Sequence, residues 1–146
     1  MSVPSERAGG REELRSGTKV RVLVIDDHVE ARDSLVRLLS KDDALEIVGT
    51  ASTVDDAARI LPGVCPEIVL LDIRHSDGDR VAACRALKQL TEAPVVAFMS
   101  YVTADLWSEA REAGVVDYLL KHVDSHRLGR EIRRLAERHS RRHDAG

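Results

Sequence analysis

Charged residues follow three separate runs of large aliphatic residues in this 146-residue chain. Asp26 and Asp27 come directly after the first run, Asp72 after the second and Lys121 after the last. Carboxylates brought together repel one another when ionised, and a hard divalent cation with oxygen ligands, such as Mg²⁺, relieves that repulsion. A lysine facing them supplies a positive charge for a phosphoryl oxygen. Without a glycine-rich loop, this set suits phosphoryl transfer onto an aspartate better than nucleotide binding.

These residues can meet only if the elements that carry them end at one edge of the molecule. The aliphatic runs alternate with helical patterns, which predicts five strands and five helices. Such alternation forces parallel strands joined by right-handed crossovers, with helices on both faces of the sheet. The predicted fold class is therefore α/β, a single doubly wound five-stranded parallel sheet. Ligands of such sheets bind outside the carboxyl ends of the strands, where the strand order reverses.

The predicted domain covers residues 19–138, between a flexible N-terminal leader over residues 1–18 and a polar C-terminal tail over residues 139–146. Apolar periodicity, caps and breakers set the expected bounds of the elements inside it. They are strand Val20–Ile25, a first helix around Ala31 to Leu39, strand Leu45–Val48 closed by Gly49, a helix from the N-cap Thr53 to Pro62, strand Ile68–Asp72, helix Arg80–Leu90, strand Val95–Met99, a helix from Thr103 or Ala104 to Gly114, strand Val115–Leu120 and helix Asp124–Arg138.

Composition narrows the class of function. The hydrophobic fraction of 43% can build one core, and the aromatic fraction of 3% leaves no stacking surface for single-stranded nucleic acid. The formal net charge of −3 gives no general reason to bind nucleic acid or acidic membranes. No apolar run is long enough for a membrane span, and no secretory signal is present. Cys65 and Cys84 lack paired spacing, so we expect a reducing, cytoplasmic environment.

Motifs at these strand ends resemble the receiver domain of two-component response regulators, over about Lys19 to Arg138. The motifs are Val-Leu-Val-Ile-Asp-Asp-His in the first strand, Leu-Leu-Asp-Ile-Arg followed by Asp77-Gly78-Asp79, Ala113-Gly114, and Tyr-Leu-Leu-Lys ending at Lys121. The first and last of them are most similar to receivers that usually precede a helix-turn-helix output domain. The resemblance implies the flavodoxin-like receiver fold.

The resemblance also implies a role for each strand-end residue. Asp72 would accept a phosphoryl group from a histidine kinase or phosphotransfer protein, Lys121 would contact that group, and Tyr118 would be the aromatic switch residue. The implied ligands of Mg²⁺, the one implied cofactor, are Asp26, Asp27, Asp72 and the backbone carbonyl of Arg74.

The chain departs from the family pattern at several positions. The family places Thr or Ser at the end of the fourth strand, where its hydroxyl binds the phosphoryl group, and the aligned residue here is Met99. Ser100 is adjacent, but neighbouring strand residues point to opposite faces, so it cannot substitute without a register shift or bulge. Ser76 and Arg80 replace the usual proline and glycine of the acceptor loop, and His122 replaces the common proline after the lysine.

Three functions follow from these observations. The first is a stand-alone switch that is phosphorylated at Asp72. No output domain fits after Arg138, so we expect it to signal by protein contacts of its fourth helix, fifth strand and fifth helix, with a homodimer as one form. The second is an atypical receiver, motivated by Met99, that binds a protein or ligand independently of phosphorylation. The third, a phosphatase-like hydrolase, needs a carboxylate where the chain has Arg74, so we do not expect an enzyme.

Other residues near the predicted edge have an ordinary explanation beside a functional one. His28 and His75 could line the crevice, although loop histidines are more often solvated. Tyr101 and Trp107 lie around the start of the fourth helix, where we expect Trp107 to be partly buried. The last helix carries a set of basic residues that we interpret as a solvated face rather than a DNA-binding surface. They are Arg130, Arg133, Arg134, Arg138, Arg141 and Arg142.

Overall fold

Five strands and five helices alternate along the residues that the computed structural model describes, 18–74 and 80–145. The strands are β1 (Val20–Ile25), β2 (Leu45–Ala51), β3 (Ile68–Asp72), β4 (Val95–Met99) and β5 (Asp117–Leu120). The helices are α1 (Val29–Leu39), α2 (Val54–Val64), α3 (Arg80–Leu90), α4 (Ala104–Glu112) and α5 (Ser125–Ala145). All neighbouring strands pair in parallel, in the order β2-β1-β3-β4-β5. The predicted doubly wound α/β fold is confirmed.

The helices cover both faces of the sheet, and each face has its own core. On one face, Leu39 of α1 and Ile132 of α5 pack into a cluster with alternate residues of the strands. On the other, Leu61, Leu87 and Leu106 bring α2, α3 and α4 into a second cluster. None of the described helices is both long and apolar enough to cross a lipid bilayer.

The central strands are buried along their length because helices lie over both faces. Every residue of Val95–Met99 is buried, and in β3 only the last residue, Asp72, is less than fully buried. Burial on both faces explains why these strands read as continuous aliphatic runs rather than as alternating patterns. The edge strand β2 is buried mainly at its two ends, Leu45 and Ala51.

Caps place the helix ends where the sequence predicts them. Thr53 and Thr103 both adopt an extended conformation and accept, through Oγ1, a hydrogen bond from the backbone N–H three residues on, at 3.1 Å in each case. Gly114 follows α4 with φ of 109°, a conformation that is accessible to glycine and strained for other residues.

Two strand bounds differ from the prediction. β2 does not stop at Gly49 but continues to Ala51, because the β1–β2 register shifts between Val22 and Leu23 and pairs Leu23 with Gly49. A Cβ at position 49 would lie 3.0 Å from Ile60 Cδ1, so this glycine marks an irregularity with a close helix contact rather than a strand end. β5 begins at Asp117, because the Val115 N–H donates to Ala110 O and completes the end of α4.

Two helix bounds were also predicted too short. α2 passes through Pro62 and ends at Val64, because Cys65 takes a left-handed conformation (φ 43°) with its N–H donating to Leu61 O. α5 continues beyond Arg138 to Ala145. The predicted leader over residues 1–18 lies outside the described part of the chain except for Thr18, as do the acceptor-loop residues 75–79.

Candidate functional site

The carboxyl ends of β1 and β3 adjoin, and the chain leaves them toward opposite edges of the sheet. Asp26 follows β1, and its backbone N–H extends the ladder by donating to Ala51 O at 3.0 Å. The Asp26 side chain is 3% exposed, and its Oδ1 accepts the backbone N–H of His28 at 2.9 Å. Asp27 points outward, with a side chain that is 63% exposed. A buried and an exposed carboxylate therefore stand together at the point where the strand order reverses.

Asp72 meets Lys121 at the same edge. The Asp72 side chain is 5% exposed, and its Oδ1 forms an ion pair with Lys121 Nζ. Two residues of β4 contact the lysine. The Lys121 backbone N–H donates to Met99 O at 2.8 Å, and the Lys121 ammonium lies 5.6 Å from the centroid of the Phe98 ring. The structure thus brings Asp72 and Lys121 together, as the sequence predicts.

The Arg74 side chain lies among the three carboxylates, a placement that the sequence reasoning missed. Its Nη2 lies 2.8 Å from Asp72 Oδ2 and 3.1 Å from Asp26 Oδ1, and its Nη1 donates to Asp27 Oδ1 at 2.9 Å. Ile73 fixes the backbone before Arg74, because it is 2% exposed and donates its N–H to Phe98 O at 3.1 Å. Because Ile73 extends the strand by one buried residue, residue 74 returns to the side of Asp72, a two-residue period that could have signalled the contact.

The close charges shift two pKa values. The pKa of Asp27 is lowered, chiefly by the hydrogen bond from His28 Nδ1 at 3.1 Å. Burial acts in the opposite direction and raises this pKa, and Arg74 lowers it further. Burial is the largest influence on Arg74 and disfavours its cation. The negative charge of Asp72, with the hydrogen bond to Asp27 and the remaining carboxylate charges, outweighs it and raises the Arg74 pKa above its usual value.

The donor set fits a divalent cation of the Mg²⁺ class. Carboxylate oxygens of Asp26 and Asp27, with the ring of His28, offer ligand atoms that lie within 4.8 Å of one another. Asp72 Oδ1 is fully buried and, among the described residues, is held by its ion pair and not by a hydrogen bond. Hard oxygen donors around a small space are what Mg²⁺ prefers. The site opens into a cleft of about 700 Å³ that continues past Thr53 and Asp55.

Of the three predicted switch residues, Met99 and Tyr118 lie in or against the core that α2, α3 and α4 cover, and Ser100 does not. Met99 is 0% exposed and belongs to that core, and Ser100 is exposed. β4 pairs with its neighbours without a register shift up to Met99, so no bulge turns Ser100 inward. Tyr118 is partly buried against the same core, with its ring centroid 5.2 Å from that of Trp107 in an edge-to-face arrangement. The end of β4 therefore carries a thioether where the resemblance to receiver domains implies a hydroxyl.

The remaining candidates take ordinary positions. His28 is exposed and pairs with Asp27, His122 is exposed, and Trp107 is partly buried. On α5, Arg134 donates to Glu131 at 2.6 Å, and Arg133 pairs with a carboxylate of the α1–β2 connection. His75 lies outside the described residues.

Comparisons with known proteins agree with this geometry. Residues 22–133 match the family described as the response regulator receiver domain. The chain is 31% identical over 115 residues to the DNA-binding transcriptional activator DevR/DosR of Mycobacterium tuberculosis, which covers 78% of this chain and 53% of that protein. It is 37% identical over 105 residues to a protein-glutamate methylesterase/protein-glutamine glutaminase of Rhodopseudomonas palustris, which covers 70% of this chain and 29% of that enzyme. This chain therefore spans about half the length of the first relative and less of the second.

A solved structure leads to the same family. The signal receiver domain of NarL from Mycobacterium tuberculosis superimposes with a TM-score of 0.72 at 26% identity, over 82% of this chain and 98% of that one. The matched family region runs from within β1 into α5. The chain thus belongs to the family of response regulator receiver domains.

Proposed function

We propose that this chain is a phosphorylation-dependent signalling switch that accepts a phosphoryl group on Asp72. The observation that carries the proposal is the buried Asp72 carboxylate, in contact with the Lys121 ammonium and one strand away from Asp26. Its other oxygen faces the cleft-lining Arg74, so the carboxylate stands where a donor could approach from the carboxyl edge of the sheet. The donor class is a phosphohistidine of a histidine kinase or phosphotransfer protein, in the cytoplasm.

The chemistry is a displacement at phosphorus. A carboxylate oxygen of Asp72 forms the new O–P bond while the N–P bond of the phosphohistidine breaks, and the leaving electron pair remains on the imidazole nitrogen, which takes up a proton. Lys121 neutralises charge on the transferred oxygens. Asp26, Asp27 and Asp72, with the backbone carbonyl of Arg74, are the proposed ligands of Mg²⁺. When it is bound, that ion screens negative charge on the phosphoryl group.

The output surface that we propose is formed by α4, β5 and α5. Tyr101 at the start of this surface is 57% exposed and Val116 before β5 is 42% exposed, so apolar area is available there for a protein partner or a second copy of the chain. Two of the basic residues of α5, Arg133 and Arg134, are each paired with a carboxylate of the chain itself. Direct DNA binding by this domain is therefore not part of the proposal, and neither is an enzymatic activity.

The burial of Met99 favours a second candidate function, a binding module whose state does not depend on phosphorylation. A methionine at the end of β4 donates no hydrogen bond to a phosphoryl oxygen. Tyr118 already packs against the core together with Trp107, so the aromatic residue has an inward contact without any phosphoryl group. In this candidate the α4–β5–α5 surface is always in its binding form.

Acceptor competence distinguishes the two candidates. The protein is treated with Mg²⁺ and a small phosphodonor or beryllofluoride, while intact mass reports modification and the amide signals of Tyr118 to Lys121 report the response. The switch predicts one added phosphoryl group, its loss in Asp72→Asn, and shifts that spread into α4. Asp55→Asn is the matched control, because this carboxylate also lines the cleft but forms no described contact with Asp72. Modification that persists in Asp72→Asn contradicts the acceptor assignment, and no Mg²⁺-dependent response favours the binding module.

A further inference from the structure

We propose that the Arg74 guanidinium is an internal competitor of the divalent cation. It occupies the space between Asp26, Asp27 and Asp72, and it must leave before Mg²⁺ can bind there. The inference deepens the proposed function and rests on it in one respect, since it takes these carboxylates as the metal ligands. It adds a regulatory step at the same site: the Arg74 side chain occupies the metal site until Mg²⁺ displaces it.

The first argument is steric. Nη2 of Arg74 lies 3.1 Å from Asp26 Oδ1 and 2.8 Å from Asp72 Oδ2, which are carboxylate oxygens of two proposed metal ligands. Nη1 holds Asp27 Oδ1 at 2.9 Å. Mg²⁺ requires its oxygen ligands at roughly 2.0–2.1 Å. An ion bound to the same oxygens would overlap the guanidinium nitrogens, so the arginine and the metal exclude each other.

The second argument is the charge balance. Asp26, Asp27 and Asp72 carry three negative charges, and Arg74 and Lys121 return two positive ones, which leaves one negative charge in the cluster. Exchange of the arginine for a divalent cation cancels that remainder. Addition of the cation beside the arginine would instead leave the cluster positive. Exchange is therefore the neutral outcome.

The third argument is that Arg74 has a way out. Its side chain is 31% exposed, whereas those of Asp26 and Asp72 are 3% and 5% exposed. Ile73 fixes the backbone beside it, so the guanidinium can swing into the cleft while the strand end stays in place. The raised pKa of Arg74 agrees with a cation that the carboxylates hold in their midst.

The test is Mg²⁺ binding measured by titration calorimetry on the full chain. Arg74→Gln is expected to bind Mg²⁺ about ten- to a hundredfold more tightly than the wild type, the factor that one lost charge-assisted hydrogen bond corresponds to. Arg32→Gln is the matched control. It removes the same charge close to the site, but Arg32 donates to Ser52 Oγ and to the backbone carbonyl of Asp26, not to a carboxylate. Its affinity for Mg²⁺ is expected to stay close to that of the wild type.

Two further measurements do not use calorimetry. In EDTA, Arg74→Gln should have a lower Tm than the wild type, because three carboxylates then face each other. Addition of Mg²⁺ should raise the Tm of Arg74→Gln by more than it raises the Tm of the wild type. In the wild type, NMR signals of the Arg74 guanidinium protons should weaken along the Mg²⁺ titration as the group passes into solvent.

The outcomes separate the inference from the function beneath it. Equal Mg²⁺ affinity of the wild type and Arg74→Gln, with the Arg74 signals unchanged at saturation, overturns the competition and leaves the metal site standing. Equally tighter binding in Arg74→Gln and Arg32→Gln also overturns it, because general charge would then be the cause. No Mg²⁺ binding by either protein overturns the inference together with the metal site of the proposed function.

Discussion

Replacement of Met99 by threonine would place a hydroxyl at the end of β4 and remove most of a side chain that is 0% exposed. Truncation of a buried methionine to alanine costs about 2–5 kcal/mol, because apolar contacts are lost and a cavity remains. Threonine keeps one methyl group but buries a hydroxyl, which costs about 1–3 kcal/mol where it has no partner. We therefore expect Met99→Thr to lower the free energy of unfolding by about 2–4 kcal/mol, which corresponds to a decrease in Tm of roughly 10 °C.

Urea denaturation followed by tryptophan fluorescence measures this change. The chain has one tryptophan, Trp107, and its ring packs against Tyr118 at the edge of the same core. Met99→Leu is the control, since a swap that conserves volume costs less than about 1.5 kcal/mol. A loss below about 0.5 kcal/mol in Met99→Thr, the range of an exposed position, would refute the tight packing of residue 99. Equal losses in both variants would refute the cavity argument.

The same variant tests the missing hydroxyl. With Mg²⁺ and beryllofluoride, Met99→Thr should give a larger change in Trp107 fluorescence than the wild type, because the hydroxyl can then donate to the phosphoryl mimic. Met99→Leu should behave as the wild type does. A wild-type response as large as that of Met99→Thr would mean that the signal reaches the Trp107–Tyr118 pair without this hydroxyl.

Three stability predictions use other positions of the fold. Gly129→Ala should lower the free energy of unfolding by about 1 kcal/mol, because the new Cβ would lie 2.4 Å from Oδ2 of Asp42, whose Oδ1 accepts the Ala44 N–H. Gly63→Ala, in α2 with no atom within 4 Å of its Cβ, should instead raise it by about 0.5–1 kcal/mol through helix propensity. Thermal unfolding of the pair checks both signs, and stabilisation by both alanines would contradict the Asp42 contact. Cys65→Gly should raise the free energy of unfolding by about 1 kcal/mol, since φ of 43° strains a residue with a Cβ. An unchanged urea midpoint in Cys65→Gly would show that this backbone stores no strain.

The strand-end charges were predictable because the signals that place them are local. Four consecutive aliphatic residues before Asp72 indicate a strand covered on both faces, and the structure buries all four in β3. The alternation of strands and helices then brings the ends of β1, β3 and β5 to one edge. No contact between side chains has to be known for that step. Helix starts followed in the same way from Thr53 and Thr103, whose caps form within three residues of sequence.

What the sequence could not supply depends on contacts between distant residues. The length of β2 depends on a register shift against β1, so Gly49 alone was a misleading stop signal. Arg74 follows the end of β3, so the two-residue period that places it on the side of Asp72 applies only if the extended backbone continues through Ile73. Its orientation depends on the hydrogen bond from Ile73 to Phe98, a residue of the next strand. The two carboxylates that receive it, Asp26 and Asp27 just after β1, come from nearly 50 residues earlier in the chain.

Lys121 offers a route from the acceptor to β5 that does not pass through a hydroxyl at position 99. Its ammonium contacts Asp72, and its backbone N–H donates to Met99 O at 2.8 Å, directly after the last residue of β5. A phosphoryl group on Asp72 would move negative charge outward from the carboxylate, and the lysine would follow it because the ion pair is its strongest described contact. Tyr118 lies on the same short strand, so a displacement of its end would reach the packing of Tyr118 on Trp107. In the proposed switch Arg74 and Met99 would therefore act at different steps: Arg74 would govern entry of the cation, and Met99 would remove one of two paths by which a modified Asp72 could reach the α4–β5–α5 surface.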